Sequence, residues 1–322
     1  MPPVVLQPLN LGELLDRMFS VYRKNFLLFF GIMLLPSVLA MAAGVISAFF
    51  RSPLIAPKPA SPGMIKTVAI TAVSGFALVM IAYWIVYSVA LGASTFAIGD
   101  VYLERTATIA ASYRRIRGRV GRLLWLMVLV GLRIVGIFVV LSMGFGLLMV
   151  PMVAMGRGVA TGVLAGLGMV MLVFAGMAVM FWLMLRYSIF IPSLVLEDVP
   201  ASQAIRRSVQ LMKGNYLRCF LLLFLTVIIA YVSLIIFQGP FYVAILMTAR
   251  HGQPAVWLLS LSSISGAIGQ ALSAPLIMIG LVLLYYDIRV RKEAFDLQLM
   301  MSLVDQGGAQ PASAAPAAAP SA

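Results

Sequence analysis

The chain should fold as an all-α membrane protein: six transmembrane helices in three repeats, each an amphipathic interfacial helix followed by two spans. Composition gives the first reason. Hydrophobic residues make up 62% and charged residues only 10%, whereas soluble globular domains carry about 25% charged residues. Mean hydropathy is +1.06. Continuity gives the second. Charge-free stretches cover residues 26–50, 67–99, 158–185, 219–249 and 252–286, and 123–156 holds only Arg133. Each exceeds the ~20 apolar residues a spanning helix needs. Recurrence is the third reason. Basic amphipathic stretches at 10–25, 106–122 and 200–218 each open into apolar sequence, and the units close at Asp100-Val101, Asp198-Val199 and Asp287-Ile288. A repeated unit of this size marks duplicated architecture. A single membrane domain over 1–305 follows, with units near 8–105, 106–199 and 200–293.

The first unit opens on Asn10-Leu11-Gly12-Glu13, an Asn cap with Glu three residues on, the pattern of a capping box. Leu11, Leu14, Leu15, Met18, Phe19 and Tyr22 then share one helical face, and Glu13, Asp16, Arg17, Ser20, Arg23 and Lys24 share the other. In the second unit the stripe is Ile109, Tyr113, Ile116 and Val120 against Arg114, Arg115, Arg117 and Arg119. The third repeats it with Ile205, Val209, Met212 and Tyr216 against Gln203, Arg206, Arg207, Gln210 and Lys213. Setting Gly118 on Gly214 superposes Ser112 on Ser208, Ile116 on Met212 and Arg122 on Arg218, while the first unit aligns more loosely. Divergent duplication accounts for this, although a shared need for interfacial helices imitates part of it.

Between the spans, the segment 51–66 with Pro53, Pro57, Pro59 and Pro62 reads as an irregular connection. The tail 306–322, rich in Ala and Pro and without charge, should be disordered. Ala40-Met41-Ala42 resembles a signal-peptidase site, but the apolar run reaches Phe50, beyond the ~7–15 residues of a signal core, so the segment is expected to remain as a span.

The net charge of +13 is a topology signal. Of the 23 Lys and Arg, 16 fall on the side of the amphipathic stretches, five in the opposite loops, and two, Arg133 and Arg186, inside spans; all ten acids share the basic side. The positive-inside rule then places both termini in the cytoplasm. Nucleic acid is not expected as a partner. Cys219 and His251 are the sole Cys and His, so neither an intrachain disulfide nor a multi-His or Cys/His metal site is available, and no metal or cofactor is expected. Phosphate-binding loops, zinc motifs and nucleophile elbows are missing from the sequence, and no carboxylates pair within a span, which argues against an enzyme.

An amphipathic cationic helix joined directly to a span should lie in the membrane interface and attract anionic headgroups. The candidate lipid contacts are Arg17, Arg23, Lys24, Arg114, Arg115, Arg117, Arg119, Arg206, Arg207 and Lys213. Arg133 lies 11 residues beyond Arg122 and Arg186 lies 11 before Glu197, so along straight helices each sits ~16 Å from the surface. Two readings stand for them: a shared cationic site for an anion or lipid phosphate, or snorkelling and capping of carbonyls freed near Pro192. Gln270 and Ser273, beside Pro275, are candidates to line a cavity. Ser265, Gly269 and Ser273, and likewise Gly158, Gly162 and Gly166, recur every four residues, as helix-packing positions do.

The run Leu283-Leu284-Tyr285-Tyr286-Asp287-Ile288-Arg289-Val290-Arg291-Lys292-Glu293-Ala294-Phe295-Asp296-Leu297 resembles the closing signature of a bacterial family, the membrane domain of glycerophosphoryl diester phosphodiesterase. The opening, with Leu9, Gly12-Glu13-Leu14-Leu15-Asp16-Arg17, Phe19, Tyr22-Arg23 and Asn25-Phe26, is similar to the family's start, and Glu197-Asp198, Arg207-Ser208 and Gly214-Asn215 fit its middle. In family members that hydrolyse glycerophosphodiesters, a separate soluble barrel performs the chemistry with His and carboxylates. The resemblance therefore implies a membrane module of the bacterial cytoplasmic (inner) membrane without that activity. The expected function is a non-catalytic scaffold or accessory protein engaging anionic lipids or a membrane-protein partner. The alternative is a transporter or lipid-handling protein with an anion site at Arg133 and Arg186.

Overall fold

The computed structural model describes residues 9–50, 62–154, 159–249, 254–294 and Met301. It is 91% helix, and no strand occurs among the described residues. The helices are α1 (Leu11–Lys24), α2 (Phe26–Phe50), α3 (Pro62–Tyr102), α4 (Ile109–Arg117), α5 (Val120–Ala154), α6 (Val159–Arg186), α7 (Phe190–Glu197), α8 (Ala201–Met212), α9 (Tyr216–Ala249) and α10 (Val256–Glu293). Six segments are long and apolar enough to cross a bilayer: Phe26–Phe49, Val73–Tyr102, Val120–Leu147, Gly166–Glu197, Tyr216–Ala249 and Val256–Glu293. The protein is thus a multi-pass, all-helical membrane protein. The expected disordered tail and residues 51–61 of the Pro-rich connection lie outside the described residues. The rest of that connection is already helix, because α3 starts at Pro62, where the missing N–H sacrifices no helical bond.

Local chemistry explains the short helices. The Glu13 amide donates to Asn10 Oδ1 at 2.8 Å and the Asn10 amide to Glu13 Oε2 at 2.7 Å, the capping box expected of α1. Helix α4 is capped by Thr108, whose Oγ1 accepts from the Ala111 amide at 3.3 Å. The buried stripes run where helical periodicity puts them, with differences at the margins. Leu14, Met18 and Val21 are buried on α1, whereas Phe19 is 40% exposed. Helix α8 buries Ala201, Ala204, Ile205, Ser208, Leu211 and Met212.

Helix α10 is the axis of the bundle. It packs along α9 and α2 and also meets α1, α3, α7 and α8. Of its most apolar window 72% is buried, against 11% for the span formed by α6 and α7. Small residues permit this. A Cβ on Gly266 would overlap the Gln238 side chain of α9, one on Gly269 would touch Phe237, and Ser265 donates to the Phe237 carbonyl. The Gly158–Gly166 series behaves otherwise: Gly158 is outside the described residues, and a Cβ on Gly166 would meet nothing within 4 Å. That series therefore gains no packing role at Gly166.

The fourth span is interrupted. Tyr187, Ser188 and Ile189 form a turn between α6 and α7. Pro192 explains its place, since a proline ring clashes with the carbonyl four residues back, here that of Ser188. Arg186 ends α6 at this turn, and its carbonyl accepts from Ser208 Oγ of α8 at 3.1 Å.

A large side chain at Gly280, where a Cβ comes within 3.3 Å of Met18 Sδ and 3.4 Å of Leu222, should drive α10 from α1 and α9. Gly280→Leu is expected to destabilise the fold by about 1–3 kcal/mol. Gly131→Leu, with open space at its Cβ, should leave the thermal midpoint in detergent unchanged.

Candidate functional site

Helix α10 is longer than a bilayer is thick, and its last turns carry Asp287, Arg289, Arg291, Lys292 and Glu293. These residues organise the polar end of the bundle. Asp287 is the most enclosed: its side chain has no exposed surface. It accepts from the Leu9 amide at 2.8 Å, pairs with Arg218 of α9 at 3.1 Å and with Arg291 one turn on at 3.1 Å. Arg291 also donates to the Leu9 carbonyl at 2.6 Å, and Arg218 donates to the same oxygen. A buried carboxylate needs such partners, because each uncompensated charge away from water is costly.

Glu197, the last residue of α7, holds a second cluster. It pairs with Arg207 of α8 at 2.9 Å and accepts from the Tyr285 hydroxyl at 2.7 Å, while Arg207 reaches Glu293 at 2.5 Å. Arg289 pairs with Glu293 at 3.1 Å and lies 3.9 Å from Glu197. Burial works against the charge on Arg207, but its hydrogen bonds to Glu293 and Glu197 and their charges outweigh this and raise its pKa above the ordinary arginine value. The other acids at unit ends are also engaged. Asp100 pairs with Arg115 at 3.0 Å, and Asp198 pairs with Arg119 at 3.0 Å and Arg122 at 2.8 Å. Arg119 additionally donates to the Val195 carbonyl.

These pairs sort the ten candidate lipid contacts. Arg115, Arg119 and Arg207 are committed to carboxylates of the chain itself. Arg17 lies over the Tyr102 ring at 5.9 Å. Arg23, Lys24, Arg114, Arg117, Arg206 and Lys213 are exposed and form no ion pair among the described residues. Two open grooves lie beside such cations. One, along α1, is lined by Asp16, Phe19, Ser20, Tyr22 and Arg23. The other, between α3 and α4, is lined by Val89, Tyr113, Arg114, Ile116, Arg117 and Val120.

The two span arginines rest on aromatic rings. Arg133 is exposed on α5, with its guanidinium 5.8 Å from the Tyr187 centroid. Arg186 lies 4.6 Å from the Trp182 centroid, and its Nε is buried without a hydrogen-bond partner. Gln270 donates to the Tyr83 hydroxyl at 2.5 Å, and Ser273 donates to the Gly269 carbonyl at 2.8 Å, so both polar groups are satisfied within helix packing.

The stretch from α6 through α10 carries a likeness to a known family. Residues 163–300 match the family described as the membrane domain of glycerophosphoryl diester phosphodiesterase. The match covers Glu197-Asp198, Arg207-Ser208, Gly214-Asn215 and the closing run at Leu283, while the opening motif from Leu9 lies outside it. Within this membrane-domain match sit Glu197, Arg207, Arg218, Tyr285, Asp287 and Glu293, the residues of both ion-pair clusters. The match is to the membrane domain and to no catalytic domain. No curated protein and no solved structure matches the chain.

The pairing of Arg207 with Glu197 and of Arg218 with Asp287 went unread in the sequence. Its only signal was that each acid closes a unit and each arginine belongs to a basic stretch. Replacing Asp287 should be severe: Asp287→Ala leaves Arg218 without its carboxylate, an expected loss of about 3–5 kcal/mol in unfolding experiments. Arg291→Ala, at a side chain 38% exposed, should lose no more than about 1 kcal/mol.

Proposed function

We propose that this chain is a non-catalytic membrane module, a scaffold or accessory protein, that engages anionic lipids or a membrane-protein partner through α1, α4 and α8. One observation carries the reading. After every acid at a unit end has taken an arginine of the chain, Arg23, Lys24, Arg114, Arg117, Arg206 and Lys213 remain exposed on those three helices without ion pairs among the described residues. Cations that the fold does not use for its own acids are available to headgroups or to an acidic partner. The family match supports the non-catalytic part, since it falls on a membrane domain.

The same proposal includes the threefold organisation and the orientation. Helices α1, α4 and α8 each run into long apolar helices, and the units near 8–105, 106–199 and 200–293 make up a membrane domain over 1–305. Basic residues concentrated at one end favour a cytoplasmic location of that end, with both termini, in the bacterial inner membrane. A transporter or lipid-handling role at Arg133 and Arg186 draws support only from the unpartnered Nε of Arg186. Gln270 and Ser273, spent on packing bonds, lend it none.

Native mass spectrometry of the gently extracted full chain tests the reading. Retained phosphatidylglycerol or cardiolipin, or a stoichiometric protein partner, is the expected result. A chain that retains neither and shows no preference for anionic over zwitterionic lipid overturns it, as would glycerophosphodiester hydrolysis by the purified chain. Orientation is read separately. In a Cys219→Ala background, Gln203→Cys on exposed α8 should react with an impermeant maleimide in inverted vesicles and not in right-side-out ones.

A further inference from the structure

We propose that the groove between α3 and α4 binds one anionic phospholipid, its phosphate held by Arg114 and Arg117 and its acyl chain laid on Val89, Ile116 and Val120. This deepens the lipid reading above and rests on it. The groove is a wide-open surface depression of about 490 Å³. Its lining complements an anionic phospholipid, with two cations for the phosphate and apolar side chains for the acyl part. Arg114 and Arg117 are three residues apart on one helix and so share a face. Two guanidinium forks side by side suit a phosphate, whose oxygens accept paired hydrogen bonds.

Charge selects this groove over the one along α1. There Asp16 lies beside Arg23 and opposes an anion. No acid lines the groove beside α4, and Asp100 is paired with Arg115 and Asp198 with Arg119 and Arg122. Helix α4 is also held in place before any lipid arrives. The Tyr113 hydroxyl donates to the Ile32 carbonyl of α2 at 2.7 Å, and the absence of a side chain at Gly92 lets Ile116 seat against α3. Burial pushes the Tyr113 pKa up to about 12, so the hydroxyl keeps its proton for that bond. A site already formed loses less freedom on binding. Val120 begins the span that follows, so the apolar floor continues into bilayer depth and favours a lipid over soluble phosphate.

The test uses the full chain in nanodiscs containing phosphatidylglycerol and phosphatidylcholine, with retained lipid counted by native mass spectrometry. Wild type should keep one phosphatidylglycerol under activation that strips the rest. The R114A/R117A double variant should lose that lipid, with affinity weakened about 30-fold as expected for two headgroup cations. R206A/K213A, which removes the same charge from α8, should retain it. Equal loss in both double variants overturns the groove and leaves general lipid attraction standing. No phosphatidylglycerol preference in wild type overturns both. Displacement by millimolar inorganic phosphate overturns the assignment to lipid. Unchanged thermal midpoints for both variants exclude misfolding as the cause of any loss, and a further variant, R114K/R117K, should recover part of the occupancy.

Discussion

The fold hangs on one carboxylate. Asp287, fully enclosed near the end of the central helix, is where the entry to α1, the start of α9 and the end of α10 converge. Its charge is tolerable there because Arg218, Arg291 and the Leu9 amide surround it. Coulomb attraction and hydrogen bonding compensate desolvation only when the geometry is complete. The bilayer gives no hydrophobic drive between helices, so close packing and polar contacts such as these must hold the bundle together. The Glu197 cluster applies the same solution to α7, α8 and α10.

This arrangement divides the basic residues by function. Arginines opposite a unit-end acid become structural, and those pointing elsewhere stay exposed. Arg114 and Arg115 are neighbours in sequence yet fall in different classes, because only Arg115 meets Asp100. A positive helix is therefore not uniformly a lipid-binding helix; its free charge is what remains after the acids have been served.

The apolar spans, the amphipathic helices and the capping box at Asn10 were all legible in the sequence, because each is a local property: composition, period or a three-residue spacing. The polar cluster was only half legible. Asp198 and Asp287 stood out by position, but which arginine meets them depends on contacts 76 and 69 residues apart in the chain, between helices whose neighbours no periodicity encodes. Central placement of α10 was likewise unreadable. Its apolar run looks like the others, and its Ser residues set it apart. Arg186 sits beside a break that a straight-helix count leaves out, the turn at 187–189 just upstream of Pro192. In the groove beside α4, Arg114, Arg117, Ile116 and Val120 were visible in the sequence, but Val89 was not, since it comes from α3.

The axial helix is also the last in sequence of the ten helices among the described residues. Ribosomes deliver α1 first and α10 last, so the Leu9 amide and Arg218 emerge well before the carboxylate that joins them. Until Asp287 is made, the Leu9 amide and Arg218 lack the carboxylate that joins them, so closure of this end of the bundle waits on α10.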